Sequence, residues 1–290
     1  MKPSDVHVSE PCRSGGCSAE PAAELPGYQL LDLIGEGGMG KVYRAEKIDS
    51  GQIVAIKRLN NPGSTSQALT CFQRECQLMA SMAHPHIVSV YGSGRHVGQH
   101  YLVMEYVPGS SLRRQMRPGK PWPTGKAARV VLAIAKALSY IHDKGILHLD
   151  LKPENVLCTA NGDVKITDFG LALSLLDVRT LFDLGLAEGT LDYCSPEQWH
   201  GLCLDRRSDI FSLCTLAYEL LTGRLPRRIY APATRYNPHL PSALDHVLRQ
   251  GLSRDASERY GSVEEFQAAL TAALSTRPWC RRVLHAHARA

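Results

Sequence analysis

The chain has no apolar run near the roughly 20 residues that a bilayer-crossing helix requires, no C-x-x-C pair and no run of five basic residues. Each absence removes a class of function. The first argues against a membrane span. The second leaves the nine cysteines without zinc-site spacing. Cys12 and Cys17 therefore read as thiols rather than a metal pair, and the whole set as the reduced thiols of a cytoplasmic protein. The third, with a formal net charge of only +5 over 290 residues, argues against nucleic-acid binding. Arg281, Arg282, His285, His287 and Arg289 read as a solvated basic end. No basic start followed by an apolar stretch opens the chain, so no signal peptide is expected. Acid is also locally scarce. Between Arg58 and Glu105 the only acidic residue is Glu75.

What is present divides into a leader, a small β-rich unit and a larger helical unit. Residues 1–26 are rich in Pro, Ser, Gly, Ala and Glu and poor in large apolar side chains, which predicts a flexible leader. Structure is expected to begin near Tyr28. Strand-like segments follow at 28–34, 41–45 and 53–58, the last two joined by the turn residues Asp49, Ser50 and Gly51. The period then changes: Leu69, Phe72, Cys76, Met79 and Ala83 recur at helical spacing over 66–82. Two further strands are expected at 87–91 and 101–106. After Gly109 the pattern is mostly helical. Thr124 is expected to cap a helix running to about Lys144. Short strands at 156–158 and 164–167 flank an N-G-D turn. Helices are expected over 209–221, ended by Gly223, and over 242–250 and 262–274. The implied fold class is α+β and bilobal: a small β-rich lobe with one helix (27–106), a hinge near 105–109 and a larger, mainly helical lobe (107–275). A tail of 276–290 follows. A cleft between lobes is where ligands tend to bind.

Four motifs carry chemistry. Gly35, Gly37 and Gly40 stand in G-E-G-G-M-G between two strands, where a loop can fold over phosphates and offer backbone N–H groups. A dinucleotide fingerprint would instead open a helix. In V-A-I-K, strand alternation places Ala55 and Lys57 on one face and Val54 and Ile56 on the other. Glu75, eighteen positions after Lys57, falls on the helical face of Phe72 and Met79. A carboxylate pointing inward needs a partner, and Lys57 is the natural one. H-L-D-L-K-P-E-N supplies Asp150, able to accept or orient a hydroxyl proton, and Lys152, able to neutralise a moving phosphoryl group. It also supplies Asn155, which with Asp168 of D-F-G offers hard oxygen ligands suited to Mg²⁺. Mn²⁺ would suit the same ligands.

In order and spacing these motifs resemble the eukaryotic-type (Hanks-type) Ser/Thr protein kinases, and bacterial members in particular, over about residues 28–274. The resemblance implies an ATP-dependent enzyme that transfers the γ-phosphate to Ser or Thr hydroxyls of proteins, its own included. It implies Lys57 on the α- and β-phosphates with Glu75 as ion-pair partner, Asp150 as catalytic base, Lys152 beside it, and Asn155 and Asp168 on the metal. Ile34, Gly35, Gly37, Gly40, Val42, Ala55 and Leu157 would surround the nucleotide. Met104 would be the gatekeeper, and the backbone of Glu105 and Val107 would meet the adenine. Thr190 in G-T-L-D-Y-C-S-P-E looks like the threonine that bonds Asp150 and Lys152 in Ser/Thr kinases. Glu197 would pair with Arg259, and Asp209 would brace the catalytic loop.

Two features depart from the family pattern. Leu149 replaces the arginine of H-R-D, which in the family reads a phosphate on the activation loop. The following loop, 171–188, is unusually apolar, with Ser174 and Thr180 its only hydroxyl side chains. Activity independent of activation-loop phosphorylation is therefore expected, the loop packing hydrophobically or meeting a regulatory partner. The stretch 223–237 leaves little room for the helix that usually follows the Asp209 helix, which bears on how protein substrates dock. A pseudokinase scaffold is the main alternative, but its usual sign is loss of the lysine, the base or the metal aspartate, and all three stand here. A small-molecule phosphotransferase of the related fold generally lacks both the glycine-loop signature and the Thr190–Glu197 segment.

Overall fold

The computed structural model describes residues 25–37, 40–59, 66–169, 173–174, 191–227 and 229–275. Residues 1–24 of the leader, the C-terminal tail, Thr180 and Thr190 lie outside the described residues; Leu25, at the end of the leader, is buried with Ala45, Val54 and Ile56 and bridges to Tyr28.

Strands β1 (Tyr28–Gly37), β2 (Gly40–Lys47), β3 (Ile53–Leu59), β4 (Val90–His96) and β5 (Gln99–Glu105) form one antiparallel sheet in the order β1-β2-β3-β5-β4. The β3 alternation has a clear packing reason. Val54 and Ile56 join Ala45 and Val103 in a cluster on one face. Ala55 and Leu59 point the other way, into the main core. Helix α1 (Ser66–Ala80) closes that second face with Phe72, Cys76 and Met79, all buried. The β2–β3 hairpin turns through Asp49–Gly51 as expected, Gly51 having φ 68°.

The strand expected at 87–91 is shifted. Ile87 makes only an isolated parallel bridge to Ile166, and β4 starts at Val90. The backbone around Ile87 is already committed. Val88 N–H donates to the Ile166 carbonyl at 3.0 Å, and Ile166 N–H donates to the His86 carbonyl at 2.9 Å. These bonds tie the small lobe to the large one.

The large lobe opens with β6 (Gly109–Ser111) and α2 (Leu112–Gln115), followed by α3 (Thr124–Asp143) and β7 (Ile146–Leu147). β8 (Val156–Thr159) and β9 (Val164–Ile166) pair across the N-G-D turn, with β6 on the other edge of β8. β10 (Leu173–Ser174) pairs with β7. Helices α4 (Pro196–Trp199), α5 (Arg206–Thr222), α6 (Ala243–Gly251) and α7 (Val263–Ser275) complete it. α3 buries Val130, Ile134, Leu138 and Ile141, and each such side chain contributes roughly 1.5–3 kcal/mol when fully buried.

Thr124 does not cap α3. It is the first helical residue, the cap position is Pro123, and no side chain accepts there. Thr124 is instead buried against the lobe, so packing overrides its capping preference. α5 begins one turn before Asp209 because Asp205 caps it, accepting from Arg207 N–H at 2.7 Å. It ends at Gly223, φ 71°. There a Cβ would collide with the backbone of Gly119 and Lys120, so glycine is required by close approach as well as by φ. The stretch 223–237 holds only a 3₁₀ turn, Ala233–Arg235, among its described residues.

Candidate active site

The site assembles where β3, the loop after β7 and the end of β9 meet. Lys57, only 8% exposed, donates to Asp168 at 3.1 Å. Burial pushes the Asp168 carboxyl up, but Lys57 outweighs it and holds the group below its ordinary value. Asp168 adopts φ 65°, a left-handed conformation that a non-glycine residue holds only at about 1–3 kcal/mol of strain. Phe169 anchors that turn: it is fully buried and its ring lies 4.7 Å from the His148 ring. The Glu75 side chain lies outside the described residues.

Asp150 sits in a ring of donors. Lys152 Nζ reaches its carboxylate at 2.9 Å. Asn155 Nδ2 donates to its carboxylate and to its backbone carbonyl, each at 2.9 Å. Burial nonetheless dominates and raises the Asp150 carboxyl above its ordinary value. The Asn155 amide nitrogen is directed at Asp150. The Asn155 amide oxygen and the Asp168 carboxylate are hard oxygens of the kind Mg²⁺ takes alongside phosphate and water. Among the described residues no three His, Cys, Asp or Glu side chains converge on one point.

Below this lies a second layer. The fully buried Asp209 carboxylate accepts from the backbone N–H groups of His148 at 2.9 Å and Leu149 at 2.8 Å, and contacts His142 Nε2 at 2.8 Å. Glu197 and Arg259 form a bidentate buried pair at 2.7 and 2.8 Å, and Ser208 also donates to Glu197. Gln198 donates to the Leu149 carbonyl at 2.9 Å while closing a capping box with Ser195. Leu149, φ 61°, packs its side chain with Leu147 and Leu204 in a separate small cluster.

Ala55, Met104 and Val107 belong to the main core cluster, and Val42 and Leu157 pack against it. Ala55 pairs directly with Met104 across β3 and β5. Ile34 lies on β1 at the surface. Glu105 accepts from Lys165 at 2.9 Å and from Ser89 N–H at 3.2 Å, fixing the hinge side of the cleft. The three glycines differ. A Cβ on Gly37 would meet nothing within 4 Å, and on Gly35 only Val42 at ordinary contact. On Gly40 it would collide with the Arg58 carbonyl. Gly40 is thus a strand-pairing glycine as much as a loop glycine.

The protein kinase domain profile matches residues 28–277. The chain belongs to the protein kinase family. It is 34% identical over 261 residues to the serine/threonine-protein kinase PrkC of Bacillus subtilis, covering 85% of this chain and 40% of PrkC. It is 34% identical over 270 residues to the serine/threonine-protein kinase PknB of Mycobacterium leprae, covering 87% of this chain and 43% of PknB. A probable serine/threonine-protein kinase of Streptomyces coelicolor is 35% identical over 292 residues, covering 93% and 42%. The chain therefore spans about two fifths of the length of these relatives.

The kinase site also contains groups that the sequence did not announce. Arg113 of α2 donates to Glu154 at 2.8 Å and to Glu219 at 2.9 Å, and also to Tyr193, which itself bonds Glu219. Burial works against the Arg113 charge, and the two glutamates more than restore it. This cluster joins α2, the catalytic loop, the segment before α4 and α5. Its members are 41, 80 and 106 positions from Arg113, a separation at which no local pattern speaks. Gln198 was legible, since S-x-x-Q ahead of a helix is a capping-box signature.

Proposed function

We infer that the chain is a serine/threonine protein kinase that transfers the ATP γ-phosphate to Ser or Thr hydroxyls of proteins, its own included. The observation that carries this reading is the Asp150 cage. A partly buried carboxylate with a raised pKa is held by Lys152 and Asn155. Asp150 accepts or orients the proton of the attacking hydroxyl. Lys152 balances charge on the moving phosphoryl group. Lys57, kept charged between Asp168 and, by the family pattern, Glu75, binds the α- and β-phosphates. By the family pattern, Thr190 would bond Asp150 and Lys152. Ile34, Gly35, Gly37, Gly40, Val42, Ala55 and Leu157 enclose the nucleotide, with Met104 at the back and the Glu105 and Val107 backbone on the adenine. Asn155 and Asp168 would hold Mg²⁺, or Mn²⁺, which supplies positive charge to the phosphate oxygens. Such catalysis is mainly positioning and electrostatics.

Leu149 makes this a kinase whose activity is independent of activation-loop phosphorylation. Where an arginine would await a phosphate, Leu149 is 4% exposed and packed on Leu147 and Leu204. The backbone of Leu173 and Ser174 is already paired to β7. A regulatory partner would recognise the apolar sequence of 175–188. We place the enzyme in the cytoplasm, with ATP and protein substrates as partners, residues 27–275 as its catalytic domain, and 1–26 and 276–290 as appendages.

The test is transfer of labelled phosphate from ATP to the chain and to a basic protein, beside Asp150→Asn and Lys57→Met. Label on Ser or Thr that is lost in both variants is expected. ATP binding without any transfer would overturn the reading in favour of a scaffold.

A further inference from the structure

A groove of about 1080 Å³ opens on the large lobe, away from the nucleotide cleft. It lies where α4, α5 and α6 surround the helix-poor stretch after Gly223, and Pro226, Arg227 and Tyr230 of that stretch form one side. Its size is at or above the upper end of small-molecule sites, which run about 300–1,000 Å³, and suits a length of peptide. Three features of the lining give it a chemistry.

The first is charge without partners. Arg227, Arg249 and Arg254 all line the groove, and among the described residues none of the three forms an ion pair with a carboxylate. Arg249 only overlies the Tyr230 ring, at 6.0 Å. Two carboxylates line the groove with them, Asp192 and Glu258, leaving the lining net positive before His200 and His246 are counted. Guanidiniums are the groups best shaped for carboxylates. The second is an apolar surface beside that charge: Trp199, 56% exposed, lies on the rim with Phe211 and Leu252. The third is Thr215. It is fully buried, lines the groove, and its hydroxyl has no hydrogen-bond partner among the described residues, although buried hydroxyls are normally satisfied.

The groove also adjoins the chemistry. Its wall includes Asp192, Cys194 and Pro196. Two residues on from Pro196, Gln198 donates to the carbonyl of Leu149, the residue before the proposed base.

We propose that this groove docks an acidic segment of the protein substrate, its carboxylates on Arg227, Arg249 and Arg254 and a large apolar side chain against Trp199. The proposal rests on the protein kinase reading only for the identity of the occupant as substrate.

The experiment uses the full chain with Mg²⁺-ATP and peptides that share one acceptor serine and its immediate flanks. One carries an Asp/Glu stretch with a leucine on either the N- or the C-terminal side, and the control carries Gly/Ser of equal length. The acidic extension on one side is expected to lower KM by at least about fivefold, the scale of one to two partly exposed ion pairs. That gain is lost in R249E/R254E and reduced in Trp199→Ala, while KM for ATP and transfer to the control peptide are unchanged. Equal KM for both peptides overturns the proposal, as does a gain that survives charge reversal. So does a charge reversal that impairs the control peptide equally, which would make these residues structural. In parallel, a fluorescent acidic segment without any acceptor hydroxyl is titrated with the chain in the absence of ATP. Binding that is lost in R249E/R254E upholds the groove even if no phosphate is ever transferred, which would separate failure of the kinase reading from failure of the groove. No binding overturns the groove whatever the activity. Should R249E/R254E fail to fold, the exposed Trp199→Ala and a salt titration of binding carry the same decision.

Discussion

Leu149 donates its backbone N–H to the buried carboxylate of Asp209 at 2.8 Å, and the next residue in the chain is Asp150. The strained left-handed turn at Leu149, φ 61°, is thus held by an anion on α5. Burial alone would raise the Asp209 carboxyl. The His142 contact and the His148 amide outweigh it and keep the group below its ordinary value. Asp209→Asn keeps the shape but exchanges an acceptor oxygen for a donor, leaving a buried backbone N–H facing an NH₂ group. A loss of about 1–3 kcal/mol is expected in urea unfolding, the desolvation penalty of one unsatisfied buried group. Phosphoryl transfer should fall further than stability alone accounts for, because the turn that aims Asp150 is released. Unchanged kcat in a folded Asp209→Asn protein would show that the anion does not position the base.

Leu149→Arg restores the residue common in the family but not its role. The side chain would enter the small apolar cluster with Leu147 and Leu204, where burying an unpaired cation is strongly unfavourable. Thermal unfolding should move down by an amount equivalent to at least about 2 kcal/mol. Activity should remain insensitive to phosphatase treatment. A variant as stable as the natural chain and newly activated by phosphorylation would refute the reading of Leu149. The companion test is the Ser174→Ala, Thr180→Ala protein, which should keep most of its activity.

Glu197 and Arg259 give a pH-dependent stability term. Burial pushes the Glu197 carboxyl up, but bonds from Arg259 and Ser208 bring it below its ordinary value of 4.5. A carboxyl depressed in the folded state stabilises above its unfolded value, and that contribution is lost as pH falls through the folded value. The pair is almost completely buried, with side-chain exposures of 0% and 9%. Glu197→Gln, which leaves Arg259 uncompensated, should therefore cost about 3–5 kcal/mol near neutrality. The deficit should shrink as the natural chain is taken below pH 4.5. Parallel unfolding curves for both proteins from neutrality to acid would contradict this.

Much of this architecture was readable because its signals are local. Residues 53–58 alternate, so β3 and the inward turn of Lys57 followed from period alone. Gly223 ends α5 with terminator chemistry, as expected, while its Asp205 cap sets the start a turn ahead of the expected 209. What stayed hidden is non-local. The strand expected at Ile87 moved because Ile166 competes for its backbone, and Thr124 failed to cap because the lobe buries it. The Arg113, Glu154, Tyr193 and Glu219 cluster joins four segments that meet only in the fold. The groove is legible in sequence only as a shortage of residues between Gly223 and Asn237; its three unpaired arginines come from two other stretches as well.

Asp150 makes the last prediction, and the sign follows from its surroundings. Burial raises its carboxyl above the ordinary value of 3.8; the Lys152 charge and hydrogen bond oppose that shift without cancelling it, and Asp168 adds to it. A base acts only when deprotonated, so kcat/KM should rise with pH through this group and its acid limb should lie above 3.8. Asp168, held low beside Lys57, stays ionised across that range and adds no second limb there. Lys152→Met removes the main opposing cation. The acid limb should then move to higher pH by a measurable fraction of a unit, on the scale of about 1.4 kcal/mol per unit, while kcat falls at every pH. The measurement is kcat/KM for a peptide at subsaturating concentration, from pH 5 to 8, with Mg²⁺ and ATP held in excess. An acid limb that stays in place when Lys152 is replaced would assign it to a group other than Asp150.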